Sequence, residues 1–196
     1  MKNVVSSVIV IVVITLVFGF AYPLVMTGFA QVAFKGQAQG SLIKVNGTVV
    51  GSKLAAQDFT SAKYFHERPS ATAPAYNAGA TTFANLGPTN PDLAKNVKAA
   101  AAAILKLESP YNPGLTIGDI PVDAVTTSAS GIDPDISPAN AQLQAHRVAA
   151  VRKLPLATVE ELIKQNTVGR SWDFFGEPGV NVLELNLALD KESGTQ

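Results

Sequence analysis

SASGIDPDISPANAQLQAHRVA, residues 128–149, joins a polar loop to the start of a predicted helix. Ser137-Pro138 predicts a helix start, because serine caps helices and proline suits their first turn. We predict that this helix runs to about Leu154. At 100° per residue, the apolar side of the helix also carries three polar residues: Asn140, Gln144 and Arg147. Buried polar groups must find partners or cost ~1–3 kcal/mol each, and a charge costs more.

Arg147 is the charged residue on the apolar side of this helix, so leaving it without a partner would cost the most free energy. The loop just before the helix carries Asp133 and Asp135, so we predict that Arg147 clamps the 128–137 loop onto the helix with one of them as its partner. The alternative is that the same cluster binds a ligand or a partner protein. Arg68, next to Tyr64-Phe65, offers the same two interpretations. The opposite side of the helix, predicted to face water, carries Gln142, His146, Arg152 and Lys153.

A long apolar run near the N-terminus predicts a membrane anchor. Val4–Met26 contains no charge and is long enough to cross about 30 Å of hydrocarbon. A cleaved signal peptide, cut after Ala30, is the rival interpretation, but the run exceeds the ~7–15 apolar residues of a signal core. We therefore predict an uncleaved anchor over 1–30, a linker over 31–40, and a soluble extracytoplasmic domain over 41–196. The short N-terminal tail inside and the large domain outside is the favoured orientation.

Composition excludes several classes of function. The 15 basic and 15 acidic residues give a formal net charge of zero, which does not suggest nucleic-acid binding. There is no cysteine, so disulfides and thiolate metal sites are excluded. The chain also lacks a phosphate-binding loop, a dinucleotide-binding glycine pattern and an H-E-x-x-H motif.

A membrane-anchored periplasmic hydrolase, using Ser130 or Ser128 with His146, is the alternative function. However, SASG lacks the flanking glycines of the G-x-S-x-G nucleophile motif. The two histidines, His66 and His146, are far apart in sequence, so a metal site would need long-range convergence. We predict no catalytic or metal-ligating residues.

The remaining pattern predicts an α+β fold. Asn46-Gly47 predicts a hairpin turn, and Asn90-Pro91 predicts the start of an alanine-rich helix. Asp58–Asn90 reads as a long ordered loop pinned by aromatic residues. We predict strands over Ile120–Thr126 and, from its alternating leucines, over the segment VNVLELNLALD at 180–190. Together this gives a single N-terminal transmembrane helix followed by one soluble α+β domain with a small sheet and about three helices, the third opened by Thr158 and Glu161.

The same residues resemble the C subunit of the bacterial Kdp-type potassium-transporting P-type ATPase, the KdpC family. The resemblance covers nearly the full length. It is carried, in matching order, by Tyr22-Pro23-Leu24; Tyr64-Phe65 with Arg68-Pro69-Ser70-Ala71; Asn85-Leu86-Gly87-Pro88-Thr89-Asn90-Pro91; Ser128-Ala129-Ser130-Gly131 through Asp133-Pro134 and Ile136-Ser137-Pro138; Gln144 with Arg147-Val148-Ala149; and Gly176-Glu177-Pro178 with Val180-Asn181-Val182-Leu183 and Leu185-Asn186.

The resemblance implies a non-catalytic accessory subunit of an ATP-driven potassium import complex in the bacterial inner membrane. Its implied partners are a potassium-selective channel-like subunit and a P-type ATPase subunit, with the bilayer contacted through residues 4–26. The family role is that of a catalytic chaperone that raises the ATP affinity of the ATPase subunit. The implied partner- or nucleotide-binding candidates are Tyr64, Arg68, Asn85, Asn90, Asp133, Gln144 and Arg147.

Nucleotide contact is implied by the resemblance alone, and one departure weakens it. A Ser-Gly-Gly-Ser type sequence, likened to a nucleotide-binding signature, precedes Asn-Leu-Gly-Pro in the family. Here Ala78-Gly79-Ala80-Thr81-Thr82-Phe83 stands in its place. A domain outside the cell would also have no access to cytoplasmic ATP, so an effect on ATP affinity would have to cross the membrane as allosteric coupling.

Overall fold

The computed structural model describes residues 2–194 of the chain. Three residues at the ends of the predicted ranges lie outside the described residues: Met1, Thr195 and Gln196. The chain divides into two compact units, Met1–Val50 and Gly51–Gln196. The division into anchor, linker and domain at 30 and 40 stays a prediction.

The first unit is dominated by one apolar helix. It comprises α1 (Lys2–Ile14), a π-helical segment (Thr15–Ala21) and α2 (Tyr22–Ala33). Lys2–Ala33 is long and apolar enough to cross a membrane, and it is the one such helix in the part of the chain that the structure describes. None of its described side chains is buried within the protein, as expected for a surface that faces lipid.

A short helix and a hairpin follow the apolar helix, and the boundary between the two units, after Val50, falls within the second strand of the hairpin. Helix α3 (Lys35–Ala38) precedes β1 (Leu42–Val45) and β2 (Thr48–Ser52), which form a two-stranded sheet. Asn46 and Gly47 have φ angles of 50° and 80°, as the type I′ turn predicted from their sequence requires.

The described part of the second unit, residues 51–194, contains five helices and a small sheet. The helices are α4 (Pro91–Glu108), α5 (Val122–Val125), α6 (Pro138–Arg152), α7 (Leu156–Gln165) and α8 (Val182–Glu192), with a 3₁₀ turn at Ile117–Asp119. The strands are β3 (Asp135–Ile136), β4 (Thr167–Val168) and β5 (Gly179–Asn181). They pair antiparallel in the order β3-β5-β4, with Ile136 and Thr167 both opposite Val180. The α+β class is confirmed, with more helices than the three expected.

Two predicted strands are wrong. Residues 122–125, expected within a strand, form α5. The strand predicted over 180–190 ends at Asn181, whose side chain accepts a hydrogen bond from the Glu184 N–H at 3.1 Å and so begins α8. Helix α7 also begins earlier than expected, at Leu156, without a capping side chain.

The core of the second unit lies where α6, α7 and α8 meet β5 and Phe65. Phe65, Val148, Val159, Leu185 and Leu189 are fully buried within it. Helix α6 faces the core with Val148 and three alanines, whereas Val151, predicted on the same side, is 38% exposed. The predicted burial of the three polar residues on this side is confirmed: Asn140, Gln144 and Arg147.

Candidate functional site

Arg147 occupies the centre of a buried polar cluster and is fully inaccessible to solvent. Its Nε donates to Glu108 Oε1 at 2.7 Å, and one terminal nitrogen donates to Gln144 Oε1 at 2.9 Å. The other donates to the carbonyls of Ala62 and Tyr64. The predicted burial of Arg147 is confirmed, but its predicted partners, Asp133 and Asp135, are wrong. The ion pair instead joins α6 to the end of α4.

Gln144 and Asn186 hold the segment 64–67 by imitating a neighbouring strand. Gln144 accepts from the His66 N–H at 2.7 Å and donates to the His66 carbonyl at 3.1 Å. Asn186 does the same for Phe65, at 2.8 and 3.0 Å. Each side-chain amide satisfies both backbone groups of one residue, so a loop without regular secondary structure is fixed against α6 and α8.

The clamp on the 128–137 loop is made by Arg68. Arg68 and Asp133 form an ion pair at 2.9 Å between two partly buried side chains, and the second terminal nitrogen of Arg68 lies 3.4 Å from the Thr127 carbonyl. Asp123 holds the other end of the loop, where it accepts hydrogen bonds from the Ser137 hydroxyl and from the Asn140 amide at 2.8 and 3.0 Å. Both members of the Arg68–Asp133 pair were candidates from the sequence, and the structure brings them together.

The two serines of SASG shape a turn. Ser128 Oγ accepts from the Gly131 N–H at 2.9 Å, and Ser130 Oγ accepts from the Ile132 N–H at 3.2 Å. Gly131 has a φ of +73°, and a Cβ there would lie 2.7 Å from the Thr82 carbonyl oxygen, so glycine is required. His146 is exposed, as predicted, and among residues 2–194 no hydrogen bond joins it to either serine. This geometry does not support the hydrolase alternative.

Tyr64 belongs to a third cluster, with Asp190 and Arg152. The Tyr64 hydroxyl donates to Asp190 at 2.9 Å, and Arg152 donates to the same carboxylate at 2.8 Å. The side chain of Arg152 is only 5% exposed and lies over the Tyr64 ring, so its predicted exposure is wrong. The long side chain leaves the outer face of α6 and packs across the ring.

The two remaining candidates, Asn85 and Asn90, lie apart from these hydrogen bonds. Asn90 caps α4 by accepting from the Asp92 N–H at 2.9 Å. Asn85 is exposed with a φ of 50° and lines a separate cleft of about 430 Å³ that also includes Ser128. In the described part of the chain, no hydrogen bond links either asparagine to Arg147.

A cleft of about 390 Å³ opens beside the Arg147 cluster. It lies between α4, α6 and the 58–76 loop, and it is lined by Glu67 and Glu108 among mostly apolar residues. Glu67 is 9% exposed, and neither of its carboxyl oxygens has a hydrogen-bond partner. Glu108 Oε2 is likewise without a partner, although Oε1 is paired with Arg147.

The acid–base properties of the cleft follow from this burial. Burial raises the pKa of Glu67 to about 9, and the nearby carboxylates of Asp133 and Asp135 add to the rise. The Gln57 backbone N–H lies close enough to offset part of the rise, although it does not meet the geometry of a hydrogen bond to either oxygen. Burial also raises the pKa of Glu108, against the opposing effect of Arg147. The pKa of His66 is lowered, first by burial and then by the Arg147 charge. At neutral pH, Glu67 is therefore protonated and His66 neutral.

The side chains that line this cleft do not fit a nucleoside triphosphate or a metal ion. Among the described residues, no Lys or Arg lines the cleft, whereas binding of a triphosphate requires cationic donors. Within residues 2–194, no group of three His, Asp or Glu side chains is placed to hold a metal ion.

Sequence reasoning missed Glu67, Glu108 and Asp190. Glu108 carried a signal, because it lies seven residues after Ala101 and four after Ile104, on the buried side of α4. Glu67 carried none: it sits in an irregular loop, where no periodicity indicates which side chains are buried.

Comparison with known proteins supplies the family. A family model described as K+-transporting ATPase, c chain, matches residues 4–191. The chain is 47% identical to the potassium-transporting ATPase KdpC subunit of Koribacter versatilis, over 100% of this chain and 96% of the relative. It is 50% identical to the KdpC subunits of Methylococcus capsulatus, over 94% of this chain and 95% of the relative, and of Burkholderia vietnamiensis, over 99% of each. The chain therefore belongs to the KdpC family, the c chain of the K+-transporting ATPase.

Proposed function

We propose that this chain is a non-catalytic accessory subunit that stabilises the potassium-transporting complex and raises the ATP affinity of its P-type ATPase subunit. The observation that carries the proposal is the use of the polar motif residues. These residues form hydrogen bonds within the domain rather than a reactive group. Arg68 donates to Asp133, Arg147 donates to Gln144, and Gln144 donates to the His66 carbonyl. They hold two surface loops, 58–76 and 128–137, in fixed positions, which suits a binding subunit.

We assign the single apolar helix to the bilayer and the second unit to the outside of the cell. The partners in this assignment are the potassium-selective channel-like subunit and the P-type ATPase subunit. An external domain cannot touch cytoplasmic ATP, and the lack of basic residues in the cleft supports an indirect effect. Coupling of ~1–3 kcal/mol between two sites would change ATP affinity about 5–150-fold.

Topology is tested with a single cysteine, because the chain has none of its own. Ala157→Cys lies on the exposed side of α7 and leaves the core untouched. In intact cells with a permeabilised outer envelope, a membrane-impermeant maleimide should label this position before lysis. Labelling only after lysis would place the domain in the cytoplasm and contradict the external assignment.

The effect on ATP is tested in the reconstituted complex, prepared with and without this chain. We expect the KM for ATP to rise at least fivefold without the chain and to recover when the full chain is added back. An unchanged KM would contradict the chaperone role. Photo-crosslinking of an azido-ATP to this chain, rather than to the ATPase subunit, would contradict the indirect mechanism.

A further inference from the structure

The cleft between α4, α6 and the 58–76 loop has the walls of an organic-ligand site. Its sides are formed by apolar residues of both helices and by two aromatic rings: Ala100, Ala103, Ile104, Leu107, Leu143, Phe59 and Tyr76. Its volume of about 390 Å³ lies within the range of small-molecule pockets. Such walls favour a ligand with an apolar stem over a fully hydrated ion.

The charged side chains that line the cleft are all acidic. They are Asp58, Glu67 and Glu108, and none of the Lys and Arg residues within 2–194 lines it. Only Glu108 has a cationic partner, Arg147, and that bond uses one of its two oxygens. Glu67 is nine-tenths buried with both oxygens unpartnered, which ordinarily costs a protein several kcal/mol unless a ligand or proton compensates.

We propose that this cleft binds an organic cation, a primary ammonium or guanidinium group on an apolar stem, with the Glu67 carboxyl as its main counter-charge. The group could belong to a free amine or to a Lys or Arg side chain of a neighbouring subunit. Phe59 and Tyr76 present aromatic rings to the same space, and such rings attract cations within about 6 Å. The proposal does not depend on the effect on ATP.

Binding requires a small movement of Glu67. Its oxygens are covered by their neighbours, so the carboxyl must turn toward the cleft to meet the cation. Side-chain rotations of this kind are common when a ligand binds. Glu67 already lines the cleft, so the proposal requires a rotation of its side chain.

Binding should release a proton. The empty site holds Glu67 in its protonated form, and an arriving cation favours the carboxylate, so the carboxyl proton leaves to solvent while the ammonium keeps its own. Among the described residues, the other titratable groups around Glu67 are His66, Asp58, Glu108, Asp133, Asp135 and Tyr76. The nearby guanidinium groups are paired, Arg68 with Asp133 and Arg147 with Glu108. One released proton makes the affinity rise about tenfold per pH unit below the pKa of about 9.

The test uses the full chain in detergent micelles and n-butylammonium as the probe. Binding is followed by the backbone amide NMR shifts of residues around Glu67 and Glu108. We expect saturable binding that strengthens about tenfold from pH 6.5 to pH 7.5. Equal binding of uncharged n-butanol, or no saturable binding of n-butylammonium, would overturn the proposal, as would stronger binding of K+ than of the amine.

Glu67→Gln keeps the shape and neutral form of the side chain, so it should fold. It should weaken n-butylammonium binding at least tenfold and abolish the pH dependence. The matched control is Glu160→Gln, on the exposed side of α7, which should bind like the wild type. Undiminished binding by Glu67→Gln would overturn the proposal.

The intact complex separates the two sources of the cation. If a subunit's Lys or Arg fills the cleft, n-butylammonium binds the isolated chain but not the assembled complex. If the ligand is a free amine, the probe binds both, with the same dependence on Glu67. Probe binding to the complex that is insensitive to Glu67→Gln would contradict both sources.

Discussion

At the scale of single residues, the stability of the second unit depends on a small number of buried polar side chains. The Arg147 side chain connects α4, α6 and the segment before Phe65. It forms an ion pair with Glu108 and donates to three further acceptors: the Ala62 and Tyr64 carbonyls and Gln144 Oε1. A buried ion pair contributes little net stability compared with an apolar replacement, but breaking one side of it is costly. Arg147 and Glu108 should therefore behave as a unit.

Arg147→Met should lower the free energy of unfolding by about 3–5 kcal/mol, because Glu108 is left charged or protonated without its partner. The double variant Arg147→Met/Glu108→Gln should recover at least about 1 kcal/mol of that loss. Urea denaturation of the full chain in detergent, followed by far-ultraviolet circular dichroism, measures both. Additive losses in the double variant would contradict the coupling.

Half of this cluster could be predicted from the sequence. Helical periodicity alone shows that Asn140, Gln144 and Arg147 are buried, because neighbours on a helix face are fixed by local geometry. The identity of the partner could not be predicted in this way. Glu108 is 39 positions from Arg147, and the nearer acids Asp133 and Asp135 were equally plausible by charge.

At the scale of elements, α8 shows where periodicity misleads. Leu183, Leu185, Leu187 and Leu189 alternate as in a strand, but Leu187 is only partly buried. The buried residues of α8 are Val182, Leu183, Leu185, Asn186 and Leu189, and most of them follow the three- and four-residue spacing of a helix. The deciding signal is Asn181, which has an extended backbone and caps the helix with its side chain. The segment carries apolar residues at both the strand spacing and the helical spacing, so the cap is the signal that distinguishes a helix from a strand.

Asn181→Ala should therefore destabilise the second unit more than Asn90→Ala. Both asparagines cap a helix, which is worth about 1 kcal/mol. Asn181 is also buried and donates to the Lys53 carbonyl at 3.0 Å and to Asp135 at 3.1 Å, whereas the cap bond of Asn90 to Asp92 is exposed. We expect about 2–3 kcal/mol for Asn181→Ala and about 1 kcal/mol or less for Asn90→Ala.

Hydrogen exchange of the Glu184 amide locates the effect of Asn181→Ala. That amide donates to the Asn181 side chain, so its protection should fall in the variant, while the Asp92 amide is unchanged. In Asn90→Ala, protection of the Asp92 amide should fall instead, and protection of the Glu184 amide should be unchanged. Equal losses of stability in the two variants would indicate that the extra bonds of Asn181 contribute nothing.

At the scale of the whole second unit, order extends well beyond the helices and strands. The 58–90 segment has no strand or helix, yet Phe65 within it is fully buried and held by Asn186. The sequence predicts this order from its aromatic residues, although Phe83 is 53% exposed and does not pin the loop. Holding the segment in place also buries Glu67. The sequence did not predict this burial, because a carboxyl group is rarely buried without a partner.

Burial of Glu67 should make the whole domain less stable as pH rises. Its folded-state pKa of about 9 lies above the unfolded value of about 4.5, so the folded state binds the extra proton between these values. Stability is greatest below the unfolded pKa and is lost as pH rises through about 9. One such proton gives a slope of about 1.4 kcal/mol per pH unit. The raised pKa values of Glu108 and Asp135 act in the same direction.

Between pH 7 and pH 9, the ligand-free wild type should lose at least about 2 kcal/mol of unfolding free energy, measured by urea denaturation in detergent. This window lies above the titration of His66, whose pKa is lowered and whose effect is confined to acid. Glu67→Gln should be more stable than the wild type at pH 7 by about 3 kcal/mol, because an amide is neutral in both the folded and the unfolded state. For the same reason, the dependence of its unfolding free energy on pH should be smaller than that of the wild type by about 1.4 kcal/mol per pH unit. Glu160→Gln should keep the wild-type slope, since that side chain is exposed. A Glu67→Gln slope equal to that of the wild type would mean that the folded domain holds Glu67 as a carboxylate, and the proton release expected on cation binding would then be absent as well.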